Sequence, residues 1–481
     1  LWYHDHTLGM TRNNVYAGPA GFWLIRQNDG GEDGLATNQV LPGPAPVAGE
    51  TLAETNLAPG RNKYREIPIV IQDRSFNADG SLFYPGDRAF FEGVPVKDLN
   101  IPFIGDKKYP SDIASIWNPE AFFNVMVVNG VSWPNHDVEP DLYRFRMLNG
   151  CNSRFLNLSM FVVNADGTLG QEIPFYQIGA EQSLLPNVVK VSTGFKTALP
   201  GNGKISASAT PAESSDEALL MGLAERADVL VDFSGLAPGT VVRMINTAPD
   251  APFGGFPDVP SDPDTSGQIM QFTVTADTAA GEDFTAPEKL KLKLPDARDR
   301  ANGGIQATVQ DLALLEEESL DVCATITPSG KIEHDSKAIP DPANPGTCTN
   351  IKDGSLAASF PFAPKAAVLG TNGSGGGTVQ LWSDTIAQNP TLGATETWEL
   401  WNHSADAHPI HLHLVKFKVV NRQAIDPETG ALDTITGPVP ASAHEAGWKD
   451  TVIAYPGEVT RLNATFDKAG LYVWHCHIVE H

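Results

Sequence analysis

The chain has 481 residues, 33 basic and 58 acidic side chains and a net charge of −25. That sign disfavours nucleic acid or an anionic membrane surface as partner, and no apolar run approaches the roughly 20 residues that span a bilayer. Glycine (44) and proline (37) are in excess, which favours many turns, and the length suits about three domains.

Residues 1–26 are predicted as strand, turn, strand: Leu1 to His6, turns at Asn13-Asn14 and Ala17-Gly18-Pro19, then Gly21 to Arg26. This is too little for a core of its own. Residues 27–65 are rich in Gly, Pro, Ala and acidic side chains and read as a linker or surface loop. A region from 66 to 276 carries short strands. Ile67 to Ile71 is an apolar run of the kind buried on both faces, followed by Phe122 to Asn129, Leu142 to Leu148, Val229 to Phe233, Val241 to Ile245 and Ile269 to Val274. A further region, 286–481, is interrupted by a polar insert from about 321 to 360 and a flexible turn at Gly373 to Gly377. Its strands are predicted at Trp398 to Trp401, Ile410 to Val420, Val452 to Ala454, Glu458 to Phe466 and Leu471 to His477. Many short strands separated by turns indicate an all-β sandwich or barrel.

Cys323 and Cys348 flank a loop-like, Pro-rich stretch of this insert; a disulfide between them would imply an oxidising compartment. Cys151 reads as a buried free thiol.

Eight of the twelve histidines fall in three clusters: His4 and His6; His408, His411 and His413; His475, His477 and His481. In extended backbone, alternate side chains share a face. His475 and His477 therefore point one way and Cys476 the other, and His481 can return to the cysteine side after a turn. His411 and His413 share a face, and His408 has the other parity. A thiolate with imidazoles is a ligand set for copper in an electron-transfer site, with zinc or a structural cysteine open on this segment alone. Asp450 reads equally as a carboxylate that orients a ligand or as a surface residue. His136, His334 and His444 lie in turn-rich sequence and are expected at the surface, whereas His403, five residues before the second cluster, could touch a site.

A weak internal repeat runs through these motifs. Leu1 to His6 parallels Tyr472 to His477, with Asp5 where Cys476 sits. Tyr143 to Asn149, followed by Arg154 and Asn157, parallels Trp398 through His408 and His411 with about one residue of slippage. Three related β-domains are expected, with metal on the first and third.

The three clusters resemble the second, third and fourth copper motifs of the multicopper oxidases, the laccase-like family. Gln72-Asp73-Arg74, Asp79-Gly80-Ser81-Leu82-Phe83-Tyr84-Pro85 and Gly447-Trp448-Lys449-Asp450-Thr451 are similar to its bacterial branch of spore-coat laccase, phenoxazinone synthase and bilirubin oxidases. The likeness is weakest over 27–65 and 300–375. It implies an all-β chain of three cupredoxin-like Greek-key β-barrel domains: an incomplete first one ending in 1–26, a copper-free second at 66–276, and a third at 286–481. It implies copper, four ions in the whole protein. His408, Cys476 and His481 would hold a blue copper. In a trinuclear cluster, His411 would hold the single copper, His4 and His477 one of the coupled pair, and His6, His413 and His475 the other. The family pattern has eight cluster histidines and an axial ligand, usually Met; two of the eight would precede Leu1 and the axial ligand would follow His481, so the chain is expected to be a fragment.

The implied reaction takes single electrons from a small organic reductant and gives them to dioxygen. Cys476, His475 and His477 carry them, and His481 meets the donor. Expected donors are phenols, aromatic amines or tetrapyrroles. The alternatives are a manganous or cuprous oxidase, the cuprous one disfavoured by seven scattered Met, and a copper-binding coat protein without turnover. The sequence leaves the compartment open, with an extracytoplasmic setting (periplasmic, secreted or coat-associated) favoured.

Overall fold

The computed structural model describes residues 1–25, 39–43, 65–84, 119–192, 219–255, 259–276, 284–292, 304–318, 323–328, 332–344, 346–361, 365–373 and 377–481. Among them, apart from one short α-helix and two single 3-10 turns, the regular structure is β. Most of the expected linker and the core of the Gly373 to Gly377 turn lie outside the described residues.

Alternation builds a first sandwich. Ile67, Ile69 and Ile71 share one face of the strand Glu66–Arg74, as do Tyr143, Phe145 and Met147 on Leu142–Asn149, and Ala227, Val229 and Val231 on Arg226–Asp232. These strands are neighbours in a seven-stranded sheet. A second sheet, with Leu156–Val163, Val241–Asn246 and Gln268–Val274, turns Leu156, Leu158, Met160, Val242, Met244 and Phe272 toward it. The two inner faces form one core, as packed sheets do, each fully buried large side chain contributing about 1.5–3 kcal/mol.

A second pair of sheets follows the same plan. One is seven-stranded and includes Val309–Glu318, Lys365–Thr371, Thr395–Asn402, Phe417–Ala424 and Glu458–Thr465. Three strands cover it: Thr451–Ala454, His408–Leu412 and Trp474–Cys476. Leu312, Trp398, Leu400, Ile410, Leu412, Phe417, Val452 and Leu462 fill the space between.

The repeat seen in the sequence is present in the backbone. Glu66–Arg74 lies parallel to Leu142–Asn149, which is antiparallel to Arg226–Asp232. Val309–Glu318, Thr395–Asn402 and Glu458–Thr465 repeat that arrangement. Asn149 Nδ2 donates to the carbonyls of Arg154 and Met221; Asn402 Nδ2 donates to those of Asp406 and Ala454. Because Met221 faces Leu156 and Ala454 faces His408 in register, Leu156 occupies the position of His408. That corrects the alignment of Arg154 with His408 by two residues.

The two units meet through Phe155, Leu220, Leu223 and Phe253 on one side and Ala407, Ile453 and Ile478 on the other. Gly222 sits in this seam. A Cβ there would lie 3.1 Å from Ile453 and 3.3 Å from Pro409, so any side chain at this position would need its neighbours in the seam to give way.

Several expected elements are redrawn. Asn13-Asn14 lies in the helix Thr11–Tyr16, and the strands around it are only Trp2–His4 and Ala20–Phe22. Ile410 to Val420 is not continuous: it breaks between His408–Leu412 and Phe417–Ala424, where Leu414 has φ of 71°. Leu471 to Val473 is not strand. The described residues of the polar insert form two small sheets closed by a Cys323–Cys348 disulfide. Cys151 is a buried free thiol, as expected. His136 is not at the surface; it is half-buried on the strand Asn135–Val138, with its ring edge-on to Phe272. His444 is likewise half-buried, in the 3-10 turn Ala443–Glu445. The side chain of His334 lies outside what is described.

Candidate metal centre

Strand register brings two of the three histidine motifs together. The strand His408–Leu412 pairs with Trp474–Cys476 so that His411 faces His475 and Ile410 faces Cys476. Since faces alternate, His411 and His475 crowd one side of the ribbon, and Cys476 and His408 the other. The parity predicted from sequence is thus realised by two adjacent strands.

On the cysteine side, His408 Nδ1 stands 3.6 Å from Cys476 Sγ. After a turn closed by the His481 N–H on the Ile478 carbonyl, the His481 ring comes back to within 5.0 Å of the His408 ring, centroid to centroid. One donor atom from each of His408, Cys476 and His481 falls within 4.8 Å of the others. The three border a cavity of about 80 Å³ with Leu314, Leu315 and Val368. Ser404 Oγ lies 2.6 Å from His408 Nε2 and donates its own proton to Asn402 Oδ1 at 2.6 Å. Ser404 thus accepts the Nε2 proton, which leaves the Nδ1 lone pair for the cysteine side.

On the other side six imidazoles meet. His6 Nε2 and His413 Nε2 lie 3.2 and 3.1 Å from His475 Nε2. His4 and His477 are 5.0 Å apart between ring centres, and His411 is 5.9 Å from His477 and 5.6 Å from His475. Trp2 stacks on His4 at 4.4 Å and tilts against His477 at 5.3 Å, closing one flank. Backbone carbonyls fix the tautomers: His4, His411 and His475 donate from Nδ1 to Asp5, Asp450 and Cys476, at 2.7, 2.7 and 2.8 Å. Their Nε2 lone pairs are left for the interior.

The electrostatics fit a soft or borderline cation at both places. Burial lowers the His408 and His413 imidazoles to about 4 and His475 to about 3, so they are neutral at physiological pH. Burial likewise holds His477 and His481 well below the ordinary range. Burial also pushes the Cys476 thiol well up, and its neighbours His408 and His481 are uncharged, so a thiolate there needs a bound cation. The Ile478 N–H, 3.5 Å from Sγ, is placed to stabilise that thiolate. His481 Nδ1 is buried and, among the described residues, has no hydrogen-bond partner, an unmet acceptor that a metal would satisfy. One sulfur with two imidazoles is a copper set, and three converging imidazoles suit copper equally.

Other sequence-marked residues are placed as follows. Asp450 is buried, not at the surface; burial raises its carboxyl, but Arg226 outweighs that and holds it well below the usual range. His403 touches neither ligand group: it bonds Asn372 Oδ1 at 3.0 Å and stacks on Trp401. Ser404, Arg226, Gln182 and Glu480 were not foreseen. Glu480 is fully buried beside His481 and bonded by Tyr84, Asn152 and Ser153. Arg226 and Gln182, like the Glu480 partners Tyr84, Asn152 and Ser153, lie far from every histidine cluster in sequence, whereas Ser404 just precedes His408 and Glu480 adjoins His481, so only these two offered a local signal.

Comparison with known proteins agrees with this geometry. Residues 342–481 match the family described as multicopper oxidase. The chain is 31% identical to a laccase from Bacillus stratosphericus over its whole length, covering 69% of that protein. It is 30% identical to a laccase from Bacillus subtilis (strain 168), again over its whole length and 68% of the relative. Among solved structures, a variant of the McoA multicopper oxidase from Aquifex aeolicus superimposes with a TM-score of 0.55 at 22% identity, over all of this chain and 72% of that one. The fold is therefore all-β and cupredoxin-like.

Proposed function

The chain belongs to the multicopper oxidase family, copper-dependent oxidoreductases that use dioxygen, and on that premise we propose that it is laccase-like, oxidising phenols, aromatic amines or related organic donors in one-electron steps while dioxygen is reduced to water. The observation that carries this reading is the opposition of two ligand groups across one short ribbon. His408, Cys476 and His481 hold a blue copper. His4, His6, His411, His413, His475 and His477 hold the trinuclear cluster: His411 the single copper, His4 with His477 one of the pair, and His6, His413 and His475 the other. The proposed domain division is 1–26, 66–276 and 286–481.

Bound copper supplies one-electron redox chemistry at the first site and multi-electron reduction of dioxygen at the second. The chain supplies the path between them. Cys476 is joined through a single peptide to His475 on one side and to His477 on the other, so the two sites are linked by a few covalent bonds. The Cys476 carbonyl also accepts the His475 Nδ1 proton, fixing that ring at the start of the path. Val368, Leu369 and Leu314 line the cysteine side with apolar surface. His481 closes the cavity and is the residue to meet the donor.

An organic donor is favoured over cuprous ion. Six of the seven methionines are core residues, and Met10 is in the N-terminal segment, so no thioether cluster stands beside Cys476. Manganous ion is the second donor class, suggested by the acidic composition. Oxygen uptake by copper-loaded protein decides between them. The reading predicts uptake supported by a substituted phenol, with none above background for manganous or cuprous salts. Uptake with the metal ions alone would overturn the donor class.

A further inference from the structure

Resting on the reading of His411 as a copper ligand, the geometry points to Arg226 as a positioning residue for that ligand, acting through Asp450 from the unit that carries no copper motif. His411 Nδ1 donates to the Asp450 carbonyl at 2.7 Å, and the same carbonyl accepts the Leu412 N–H at 3.1 Å. The aim of the His411 ring, and so of its Nε2 lone pair, depends on where residue 450 is held. The Asp450 carboxylate is the handle. Arg226 grips both oxygens, Nη1 to Oδ1 at 2.9 Å and Nη2 to Oδ2 at 2.5 Å. Gln182 Nε2 adds a bond to Oδ2 at 2.5 Å and Thr451 Oγ one to Oδ1 at 2.9 Å. Arg226 and Asp450 are both buried.

Arg226 opens the strand Arg226–Asp232 of the first sandwich, and Gln182 stands just before its strand Leu184–Val191. The clamp therefore crosses the seam between the two units. It is itself anchored: Arg226 Nη1 also donates to the Ala224 carbonyl at 2.6 Å, and the Gln182 N–H to the Trp448 carbonyl at 3.0 Å. Next to it, Lys449 Nζ reaches Glu181 at 2.9 Å and Glu225 at 3.0 Å. A bidentate guanidinium–carboxylate pair fixes plane as well as position, which a single ammonium does not.

The clamp also decides which oxygen orients the ligand. Asp450 Oδ1 is only 3.6 Å from His411 Nδ1. With Arg226 in place, both carboxylate oxygens are occupied and the neutral backbone carbonyl takes the ring proton. Without it, the freed carboxylate swings onto Nδ1, tilting the ring and making His411 a more basic ligand. The unit without copper motifs thus sets the geometry and donor strength of a ligand in the other.

The test uses copper-loaded protein and two readouts besides turnover: the electron paramagnetic resonance of the copper that is not thiolate-bound, and its rate of loss to a chelator. Arg226→Met is expected to change the hyperfine splitting of that copper and to release it about 10–100-fold faster, with the blue absorption of the Cys476 site retained. Arg226→Lys is expected to recover part of the retention and little of the splitting. Unchanged splitting and release in Arg226→Met overturn the inference. If that variant is recovered without blue colour, Asp450→Asn, which keeps the backbone carbonyl and the shape, decides by the same readouts. A wild-type protein with no non-blue copper signal overturns the ligand reading and the inference with it, whereas a normal wild-type signal insensitive to both variants overturns the inference alone.

Discussion

Replacing Cys476 with serine yields a folded protein without blue absorption whose turnover of a phenolic donor is down by more than about 100-fold. The expected loss exceeds the 10–100-fold attached to removal of partners that only orient a ligand, because the variant removes the sulfur itself. Serine is close in size, and the strand Trp474–Cys476 keeps its pairing with His408–Leu412, so stability is little changed. What is lost is the thiolate and the covalent route from it to His475 and His477. A hydroxyl is far harder to deprotonate and is not a soft ligand. Absorption spectra, copper content and oxygen uptake of the two proteins check this. A blue Cys476→Ser protein would remove the cysteine from the site.

The second large effect is on stability. Arg422 grips Glu445 with two bonds, 2.6 and 2.7 Å, and also donates to the Ile453 carbonyl at 2.9 Å. It thereby ties the 3-10 turn Ala443–Glu445 to Thr451–Ala454, the strand that pairs with His408–Leu412. Burial alone would raise the Glu445 carboxyl, but Arg422 outweighs it and holds it at about 2, against an ordinary 4.5. A lowered carboxyl stabilises the fold at pH above its unfolded value and loses that contribution as pH falls toward the folded one. The contribution is about 3 kcal/mol at pH 7 and about half of that at pH 3. Glu445→Gln should therefore unfold more easily in urea by about 3 kcal/mol at pH 7, with the gap to wild type narrowing steadily below pH 4.5. Arg422→Met should cost about 3–5 kcal/mol at neutral pH, since it leaves a buried carboxylate unpaired. A gap that does not change between pH 7 and pH 3 would show that the pair is not what holds this turn.

How far the sequence could be read depended on the range of the contacts involved. Local patterns placed these elements as the structure has them: an apolar run for Ile67 to Ile71, and period-two alternation for Leu142 to Leu148 and for the faces of Cys476 and its flanking histidines. The same signal was present in Leu156, Leu158 and Met160, where the strand Leu156–Val163 went unrecognised. Asn13-Asn14 looked like a turn, yet the six-residue helix there has no side-chain cap to announce it. The break at Leu414 carries neither Gly nor Pro, although its backbone takes a left-handed conformation, so Ile410 to Val420 looked like one strand. The second layer of the site was the least legible. Arg226 and Asp450 are joined across 224 residues of sequence, and Glu480 and Asn152 across 328, with no spacing rule to connect them. Leu156 in the place of His408 shows the converse: once the register is known, a vanished ligand position can be identified by its neighbours.

On the proposed reading, one short ribbon presents two separate copper sites on its opposite faces. Anomalous diffraction at the copper edge from crystals of the copper-loaded protein tests it most directly. The expected result is a copper peak bonded to Cys476 Sγ between His408 and His481, and distinct copper density among His6, His413 and His475 on the other face. Density on one face alone, or a metal that leaves Cys476 unligated, would contradict it.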